Sequence, residues 1–386
     1  MIELFILISS TIILYCFILL PKFGFVNISN NYNINLYTID NLTIFLFIMT
    51  LFSILRLNLY IPLYILCFLI FLSLLTKLSY YFLLFKKNFN QIFIILLLTI
   101  LFNFELANNI YLGFDGQAIW FKKAYYFKNN LDPINTTMPN YPFLGSYLWA
   151  FFWKFSIIDF EHYGRFIYSI IFFISIGAYL SFYKVKNIYD YIFLSLIIYY
   201  VFKTNYLFNG YQDILVFSLL IIFFHYFIIF LNTKSNKNLI FLYLTAFILS
   251  WIKNEANIYS IIVLFSLFFF NKDKKFLITN SLLILILFFH KFLIYKYYFE
   301  INMSLQTDNY SFESIYNLKV DLNSILFIIV SFIKVFFKNL IIILSIPLIA
   351  YYYLNQKKFS KYETDLIRIL LLLFVVLIGI IFIFYI

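Results

Sequence analysis

One stretch of the chain, residues 113 to 165, gathers acidic, basic and aromatic side chains that could carry out chemistry. Asp115 follows Gly113 and precedes an apolar run, where it would begin a helix, and Lys122 and Lys123 come next. On a helix Lys122 would share a face with Asp115, because it lies about two turns further on, and Lys123 would lie about 80° further round. An acid and a base can therefore meet in one cleft.

These residues also have structural explanations. Asp115 could cap the N-terminus of a helix, because a carboxylate there accepts from free backbone N–H groups. Lys122 and Lys123 could extend to the lipid headgroups. Lys123, however, is predicted to lie on the non-cytoplasmic side, where positive charge is disfavoured, so we expect something anionic to hold it.

Two further charged sites follow along the chain. Asp213 comes after Asn-Gly-Tyr-Gln and begins an apolar segment, where a helix cap is again the structural alternative. Lys253, Asn254 and Glu255 lie between two short apolar segments. Each charge costs about 2.5 to 3.5 kcal/mol at bilayer depth, so we expect the two charged residues to be paired or to line a cavity.

Several kinds of site have no support in the sequence. The three histidines are isolated and no H-E-x-x-H motif or carboxylate cluster occurs, so neither a structural metal site nor a protease site is predicted. There is no Walker motif and no G-x-S-x-G, which excludes the usual forms of nucleotide hydrolysis and serine hydrolase chemistry. Cys16 and Cys67 lie in apolar segments and indicate no disulfide. No cofactor is predicted, and a divalent metal stays an open alternative.

Composition places these residues in a membrane protein. Of the 386 residues, 64% are hydrophobic and 12% are charged, which is more apolar surface than a soluble domain can bury. Apolar blocks recur from Ile2 to Ile386, so we predict a single integral membrane domain over residues 1–386. The net charge of +11 comes from lysines at the ends of these blocks, which indicates a positive-inside bias and no nucleic-acid binding.

The predicted fold class is all-α, a polytopic transmembrane bundle of about 10 to 12 spans. Spans are expected at residues 2–20, 42–58, 59–85, 91–106, 166–183, 188–203, 213–231, 239–252, 257–270, 276–295 and in the region after 325. A cytoplasmic turn is predicted at Lys86-Lys87-Asn88, and the lysine bias places Lys184, Lys234 and Lys274 inside. Residues 106–164, 204–212 and 297–322 are then extracytoplasmic. The first of these is the predicted catalytic loop, in which residues 141–156 form a helix lying along the membrane interface.

Four motifs, in this order, resemble a group of bacterial GT-C membrane glycosyltransferases. They are D-G-Q-A-I-W-F-K-K-A from Asp115, Y-P-F-L-G-S-Y-L-W-A from Tyr141, G-Y-Q-D ending at Asp213, and K-N-E from Lys253. The wider superfamily, with its aminoarabinose and protein O-mannosyl transferases, is similar in having an acid in the first large outer loop and an arginine entering the next span, which Arg165 matches. The resemblance covers residues 105 to 260.

The resemblance implies a GT-C type fold and transfer of a sugar from a polyprenyl-phosphate donor to an extracytoplasmic glycan, lipid or protein. The membrane would be the bacterial inner membrane. Asp115 would be the general base, with Asp213 and Glu255 also catalytic. Lys123, Lys253 and Lys122 would bind the donor phosphate, on which charge develops. The residues implied to contact substrate are Trp120, Tyr141, Tyr211, Asn254 and Arg165.

Two other functions are compatible with the sequence. A transporter or flippase of a lipid-linked saccharide would use charged residues to line a path, and it predicts repeated halves with broken helices, which the sequence lacks. A polysaccharide polymerase or ligase shares the many spans and the large outer loop. It usually uses arginines, and this chain contains Arg56, Arg165 and Arg368 alone.

Overall fold

The structure is a computed structural model that describes residues 2–21, 34–108, 110–136, 138–183, 209–270 and 273–301, together with residues 198 and 330. Within these residues every regular element is a helix and none is a strand, which confirms the predicted all-α class for them. Apart from residues 198 and 330, the described residues do not include the predicted spans at 188–203 and after residue 325, nor Lys184, residues 204–208 or the predicted loop beyond residue 301.

The helices follow the apolar blocks of the sequence. They are α1 (Ile2–Leu19), α2 (Ile34–Ile54), α3 (Tyr60–Asn108), α4 (Lys122–Lys128), α5 (Leu144–Lys154), α6 (Glu161–Tyr183), α7 (Asp213–Thr233), α8 (Asn236–Ser250), α9 (Asn254–Phe270) and α10 (Lys274–Leu293). Shorter elements are a π-helical turn at Gly116–Phe121, a 3-10 turn at Pro133–Asn135 and a second π-helical turn at Ile294–Tyr298.

In the described part of the chain, four helical segments are long and apolar enough to cross a membrane: Tyr37–Ile54, Tyr81–Asn108, Asp213–Thr233 and Lys274–Tyr298. Only 28% of the second and 22% of the fourth is buried, so most of their residues are at least partly accessible, as they would be to lipid. Length and composition therefore describe a helical chain suited to a bilayer. The larger number of spans stays a prediction.

The start of the span predicted at 42–58 is wrong, because α2 begins earlier, at Ile34. Two polar side chains of α2 have partners in the fold. Asn41 donates to two backbone carbonyls at the end of α1, at 3.2 and 2.8 Å, and Asp40 accepts from Tyr226 and Lys237, both at 2.8 Å. These tertiary partners allow a polar stretch to be helical where its composition alone predicts a loop.

The turn predicted at Lys86-Lys87-Asn88 is also wrong, because α3 continues through it. Neither glycine nor proline occurs between Pro62 and the end of α3. Asn88 Nδ2 donates to the carbonyl of Leu84, one turn back, at 2.9 Å. The local sequence therefore has no residue that breaks the helix, and lysine is a good helix former.

α3 is nevertheless not straight. The ring of Tyr60, at its start, packs edge-on against Phe155 after α5, with centroids 5.4 Å apart. Just beyond its other end, the carbonyl of Ile110 accepts from Arg165 at the start of α6. A straight helix of 49 residues would be about 73 Å long, and its ends could not both reach this region. The bend is compatible with the two separate spans predicted at 59–85 and 91–106.

The chain divides into two compact units. The first comprises Met1–Ser260 and Leu285–Lys291, and the second comprises Ile261–Ile284 and Phe292–Ile386. The core of the first unit is α5, against which α2, α4 and α6 pack. In the second unit, Asn280 of α10 donates to the carbonyl of Leu264 in α9 at 3.5 Å. The candidate functional residues lie in the first unit.

α5 does not have the surroundings that the sequence predicts for an interfacial helix. Its 11 residues span about 16 Å, half of a bilayer core, so it is too short to cross. Every residue from Leu144 to Trp153 is buried in protein. Tyr147 donates to the carbonyl of Leu57 and Trp149 to that of Glu161, both at 3.1 Å, so these rings are anchored inside the unit. The location of α5 at a membrane interface stays a prediction.

Ion pairs mark the two ends of α7. Asp213, its first residue, pairs with Lys253, and Asp40 pairs with Lys237 just beyond its last turn, both at 2.8 Å. The 21 residues of α7 span about 32 Å, close to the thickness of a bilayer core. The Asp213 end and the Lys237 end of the first unit are therefore separated by one membrane thickness.

This separation predicts the outcome of labelling experiments. In a chain whose Cys16 and Cys67 are replaced by serine, single cysteines at Asn130 and Ser235 should react with a membrane-impermeant maleimide from opposite sides of sealed vesicles. The measurement is labelling of right-side-out against inverted vesicles, with detergent-opened vesicles as the control. Labelling of both positions from one side would contradict the topology.

Gly164 marks the closest approach of α6 to α5. A Cβ atom at this position would lie 2.4 Å from the carbonyl oxygen of Trp149 and 2.5 Å from Cδ1 of its ring. Because the first contact is with backbone, relief would require the two helices to separate. A glycine inside a helix is normally a weakness, so its presence here follows from packing.

The substitution Gly164→Ala should lower the free energy of unfolding by about 1 to 3 kcal/mol, because overpacking outweighs the gain in helix propensity of roughly 0.5 to 1 kcal/mol. Thermal unfolding of the purified protein measures the change. Ser281→Ala, at an exposed position of α10, is the control and should alter stability by less than about 0.5 kcal/mol. An unchanged or raised unfolding temperature for Gly164→Ala would show that the two helices have room.

Candidate functional site

Four polar segments that are far apart in sequence meet in the first unit. The backbone N–H of Gly113 donates to the carbonyl of Asn209 at 2.9 Å, and that of Leu144 donates to the carbonyl of Trp251 at 3.1 Å. A Cβ atom on Gly116 would lie 2.4 Å from the same Asn209 oxygen, so only glycine allows this approach. The four segments, 113–116, 141–144, 209–213 and 251–255, belong to the four motifs identified in the sequence.

Lys253 is the centre of a group of charges at this junction. Its Nζ donates to Asp213 Oδ1 at 2.8 Å, which confirms that this lysine is paired. Burial lowers the pKa of Lys253, but the charges of Asp213, Glu255 and Asp115 outweigh it and leave the pKa raised. Lys253 therefore stays protonated, with three carboxylates within electrostatic reach. The structure brings together four of the residues predicted to form the site.

Asp115 is exposed, and no side-chain hydrogen bond caps the helical turn that follows it. The cap explanation therefore has no support from its geometry. The turn is π-helical from Gly116 to Phe121, a form found frequently at functional sites. Because π geometry changes the number of residues per turn, the spacing to Lys122 no longer places that lysine on the face of Asp115. Lys122 is exposed.

Lys123 is fully buried, and its amine does not reach the surface. Nζ donates to the carbonyl of Tyr141 at 2.7 Å and lies 4.8 Å from the ring centroid of Phe143. The headgroup explanation is wrong for this lysine. Burial and then the charge of Lys291 hold the pKa of Lys123 well below its ordinary value. The partner that the sequence predicted to be an anion is a backbone carbonyl in this structure.

A lysine that the sequence analysis did not single out lies beside the same segments. Lys291, near the end of α10, is buried, and its Nζ donates to the carbonyl of Ser250 at 3.0 Å and to Oδ1 of Asn254. Next to it, His290 Nε2 accepts from Trp251 Nε1 at 3.2 Å. The sequence did contain a signal for Lys291, because a lysine inside an apolar span is energetically costly and usually functional.

Arg165 has a positioning role in this structure. Its side chain is fully buried and forms an ion pair with Glu161 at 2.7 Å. It also donates to the carbonyls of Ile110 and Tyr111, at 3.3 and 3.4 Å, which lie just before the segment that carries Asp115. Arg165 therefore anchors the segment that precedes Asp115, and it has no exposed surface that could contact a substrate.

The other predicted substrate residues lie at the same junction with different exposures. Trp120 is buried, and its ring meets that of Tyr141 edge-on at 5.7 Å, so it packs on protein. Tyr141 and Tyr211 are half-buried and keep part of their rings accessible. Asn254 is half-buried and is held by Lys291. Tyr141 and Tyr211 are thus the aromatic residues of the predicted set with a surface to present.

Among the described residues, no group of three His, Cys, Asp or Glu side chains is close enough together to hold a metal ion. Asp115, Asp213 and Glu255 therefore surround a lysine without forming a ligand set. Comparison of the chain with models of known protein families, with curated proteins and with solved structures finds no match.

The lowered pKa of Lys123 predicts how stability changes with pH. The pKa in the unfolded chain is the ordinary 10.5, so between the lowered folded pKa and 10.5 the unfolded chain binds more protons than the folded one. The contribution of Lys123 to the free energy of unfolding therefore rises with pH across this window. We expect the unfolding temperature of the wild type to rise relative to that of Lys123→Met as the pH increases from 7 to 10.

The control for this measurement is Lys122→Met, which removes the neighbouring exposed lysine. Its unfolding temperature should follow that of the wild type across the same range, because exposure leaves its amine solvated in both states. If the difference in unfolding temperature between the wild type and Lys123→Met stayed constant with pH, it would contradict the buried position of Lys123.

Proposed function

We propose that the protein is a membrane glycosyltransferase of the GT-C type. It transfers a sugar from a polyprenyl-phosphate donor to an acceptor on the extracytoplasmic side of the bacterial inner membrane. The observation that supports this proposal is the junction of four polar segments around Lys253 and three carboxylates, in a chain whose helices are long and apolar enough to span a bilayer. A lipid-phosphate donor presents its reacting bond at the depth where helix ends of this kind lie.

In this proposal Asp115 is the general base. Its exposed carboxylate takes the proton of an acceptor hydroxyl as that oxygen bonds to the anomeric carbon of the sugar. The bond between the anomeric carbon and the phosphate oxygen breaks, and the electron pair goes to the phosphate. Lys123, Lys253 and Lys122 supply the positive charge that stabilises this leaving group as its charge grows.

The other residues of the junction keep these groups in place. Asp213 and Glu255 orient Lys253 or the acceptor, and Arg165 holds the segment that leads to Asp115. Tyr141 and Tyr211 offer half-buried rings against which a sugar face or the lipid chain packs. Their positions suit a substrate that has one polar and one apolar part.

The deciding experiment is incubation of the purified protein in lipid nanodiscs with a set of polyprenyl-phosphate sugars. Release of free polyprenyl phosphate together with a glycosylated acceptor is the expected result. Movement of a lipid-linked sugar across vesicles without release of lipid phosphate would indicate a flippase. Turnover of a nucleotide sugar in place of the lipid donor would also contradict the proposal.

Replacing Asp115 by asparagine should lower kcat by about 10² to 10⁴, because asparagine cannot accept the proton. Folding and membrane insertion should be unchanged, since the side chain of Asp115 is exposed and caps no helix. Asp159→Asn is the matched control, because Asp159 is exposed and pairs with Lys128 away from the junction. Transfer by Asp115→Asn at the wild-type rate would remove Asp115 from the mechanism.

A further inference from the structure

Two buried lysines, Lys123 and Lys291, lie together near Lys253 and its three carboxylates. Lys123 is 0% and Lys291 is 5% exposed, so both ammonium groups have left bulk water. Lys123 lies on α4 and Lys291 on the part of α10 that belongs to the first unit. We call these two residues the lysine pair.

Backbone contacts place the two members of the lysine pair on either side of one junction. Lys123 donates to the carbonyl of Tyr141, and Lys291 donates to that of Ser250. The segments that carry these carbonyls are joined by the hydrogen bond from Leu144 N to the carbonyl of Trp251, at 3.1 Å. The charge of Lys291 consequently acts on Lys123 and adds to the lowering of its pKa.

The lysine pair has no carboxylate partner in the described part of the chain. Neither amine forms an ion pair there within 4.0 Å, and the charge of Glu255 acts on Lys291 only from beyond that distance. Burying an ammonium group costs several kcal/mol, and a nearby like charge adds to the cost. Two amines that lie together without a carboxylate are therefore stabilised in their protonated forms by an added anion.

Lys253 presents the opposite balance. One ammonium group there faces Asp213, Glu255 and Asp115, so three negative charges surround one positive charge. A phosphate approaching Lys253 would meet an excess of carboxylates, whereas a phosphate approaching the lysine pair would meet two amines without an ionic partner and would favour their protonated forms. Coulomb attraction therefore favours the lysine pair as the place for an anion.

The donors and walls of the lysine pair also suit a phosphate. An ammonium group has three N–H donors, of which Lys123 uses one on the carbonyl of Tyr141 and Lys291 uses two. Rings lie over both amines, with Phe143 at 4.8 Å from Lys123 Nζ and Trp251 at 5.9 Å from Lys291 Nζ. The remaining N–H groups are therefore held in an aromatic surrounding of low polarity, where an ionic hydrogen bond is strong.

We propose that the lysine pair is a phosphate-binding site and that Lys291 is a phosphate-binding residue. The ligand class is a phosphate monoester or diester at the head of a lipid, and its identity as the polyprenyl-phosphate donor rests on the proposed function. The phosphate reaches Lys123 by taking the place of the Tyr141 carbonyl at Nζ. The lysine pair then holds the bound donor phosphate, and Lys253 acts on the leaving group as its charge grows.

The test is equilibrium binding of polyprenyl phosphate to the full-length protein in lipid nanodiscs, followed by the fluorescence of the tryptophans, of which Trp251 adjoins Lys291. Lys123→Met and Lys291→Met should each weaken Kd by at least about tenfold, or about 1.4 kcal/mol. The double variant should lose less than the product of the two effects, because one phosphate contacts both amines. Lys291→Arg keeps the charge and should stay within a few-fold of wild type.

Lys296→Met is the matched control, because Lys296 is exposed and follows Lys291 closely in sequence, and it should bind as the wild type does. Polyprenol, which lacks the phosphate, should bind all variants equally weakly. Unchanged affinity in both single variants and the double variant would overturn the proposal, and so would a larger loss in Lys253→Met. Equal losses in Lys291→Arg and Lys291→Met would also overturn it, since charge would then not matter.

Inorganic phosphate separates the two possible sources of the anion. Competition of millimolar inorganic phosphate with polyprenyl phosphate, lost in Lys291→Met, would show that the lysine pair is an anion site. Tight binding of polyprenyl phosphate without such competition would assign the site to the lipid phosphate. A protein that binds neither form overturns the inference. Lysine-dependent phosphate binding without any sugar transfer would refute the proposed transferase and leave the lysine pair intact, so the two failures are distinguishable.

Discussion

The ion pair between Lys253 and Asp213 links two turns that are 40 residues apart, and the junction depends on it. In a chain with so few charges, a helix end that carries an ionic group needs a partner of opposite sign, because lipid and apolar protein solvate it poorly. The pair fixes where α7 begins relative to the turn between α8 and α9. Glu255 then takes its place on the first turn of α9. Both members stay partly exposed, at 21% and 45% of their side chains, so water shares the cost of holding them.

The amines of the lysines at this junction are stabilised by two different kinds of partner. Lys253 is matched by carboxylates, whereas Lys123 and Lys291 are matched by carbonyl dipoles and aromatic faces. A carbonyl carries a partial charge and compensates an ammonium group less completely than a carboxylate does. The difference divides the junction into a negative half and a positive half. Such a division suits a reaction in which a proton leaves one group while negative charge accumulates on another.

The errors of the sequence reasoning have a common physical origin. Lys86, Lys87 and Asn88 predict a turn by composition, yet α3 continues through them because no residue there obstructs helical hydrogen bonds. The polar residues before Leu42 place the start of the predicted span too late, because Asp40 and Asn41 are helical and find partners on other helices. In each case a local pattern was interpreted without the neighbours that tertiary packing supplies.

The sequence by itself determined the helical class, the apolar segments and the charged turns at Asp213 and Lys253. The rise of a helix and the thickness of a bilayer constrain the lengths of such segments, and a charge in apolar surroundings is conspicuous wherever it occurs. The bounds of α7 to α10 accordingly lie within a few residues of the predicted spans. Only the tertiary structure decided which charges meet. It placed Lys291 beside Lys123, buried Arg165 and left Asp115 exposed. The partners of Lys123, Lys291 and Arg165 are largely backbone carbonyls. Every residue has such a carbonyl, so its role as a partner leaves no mark in the sequence and follows from packing alone.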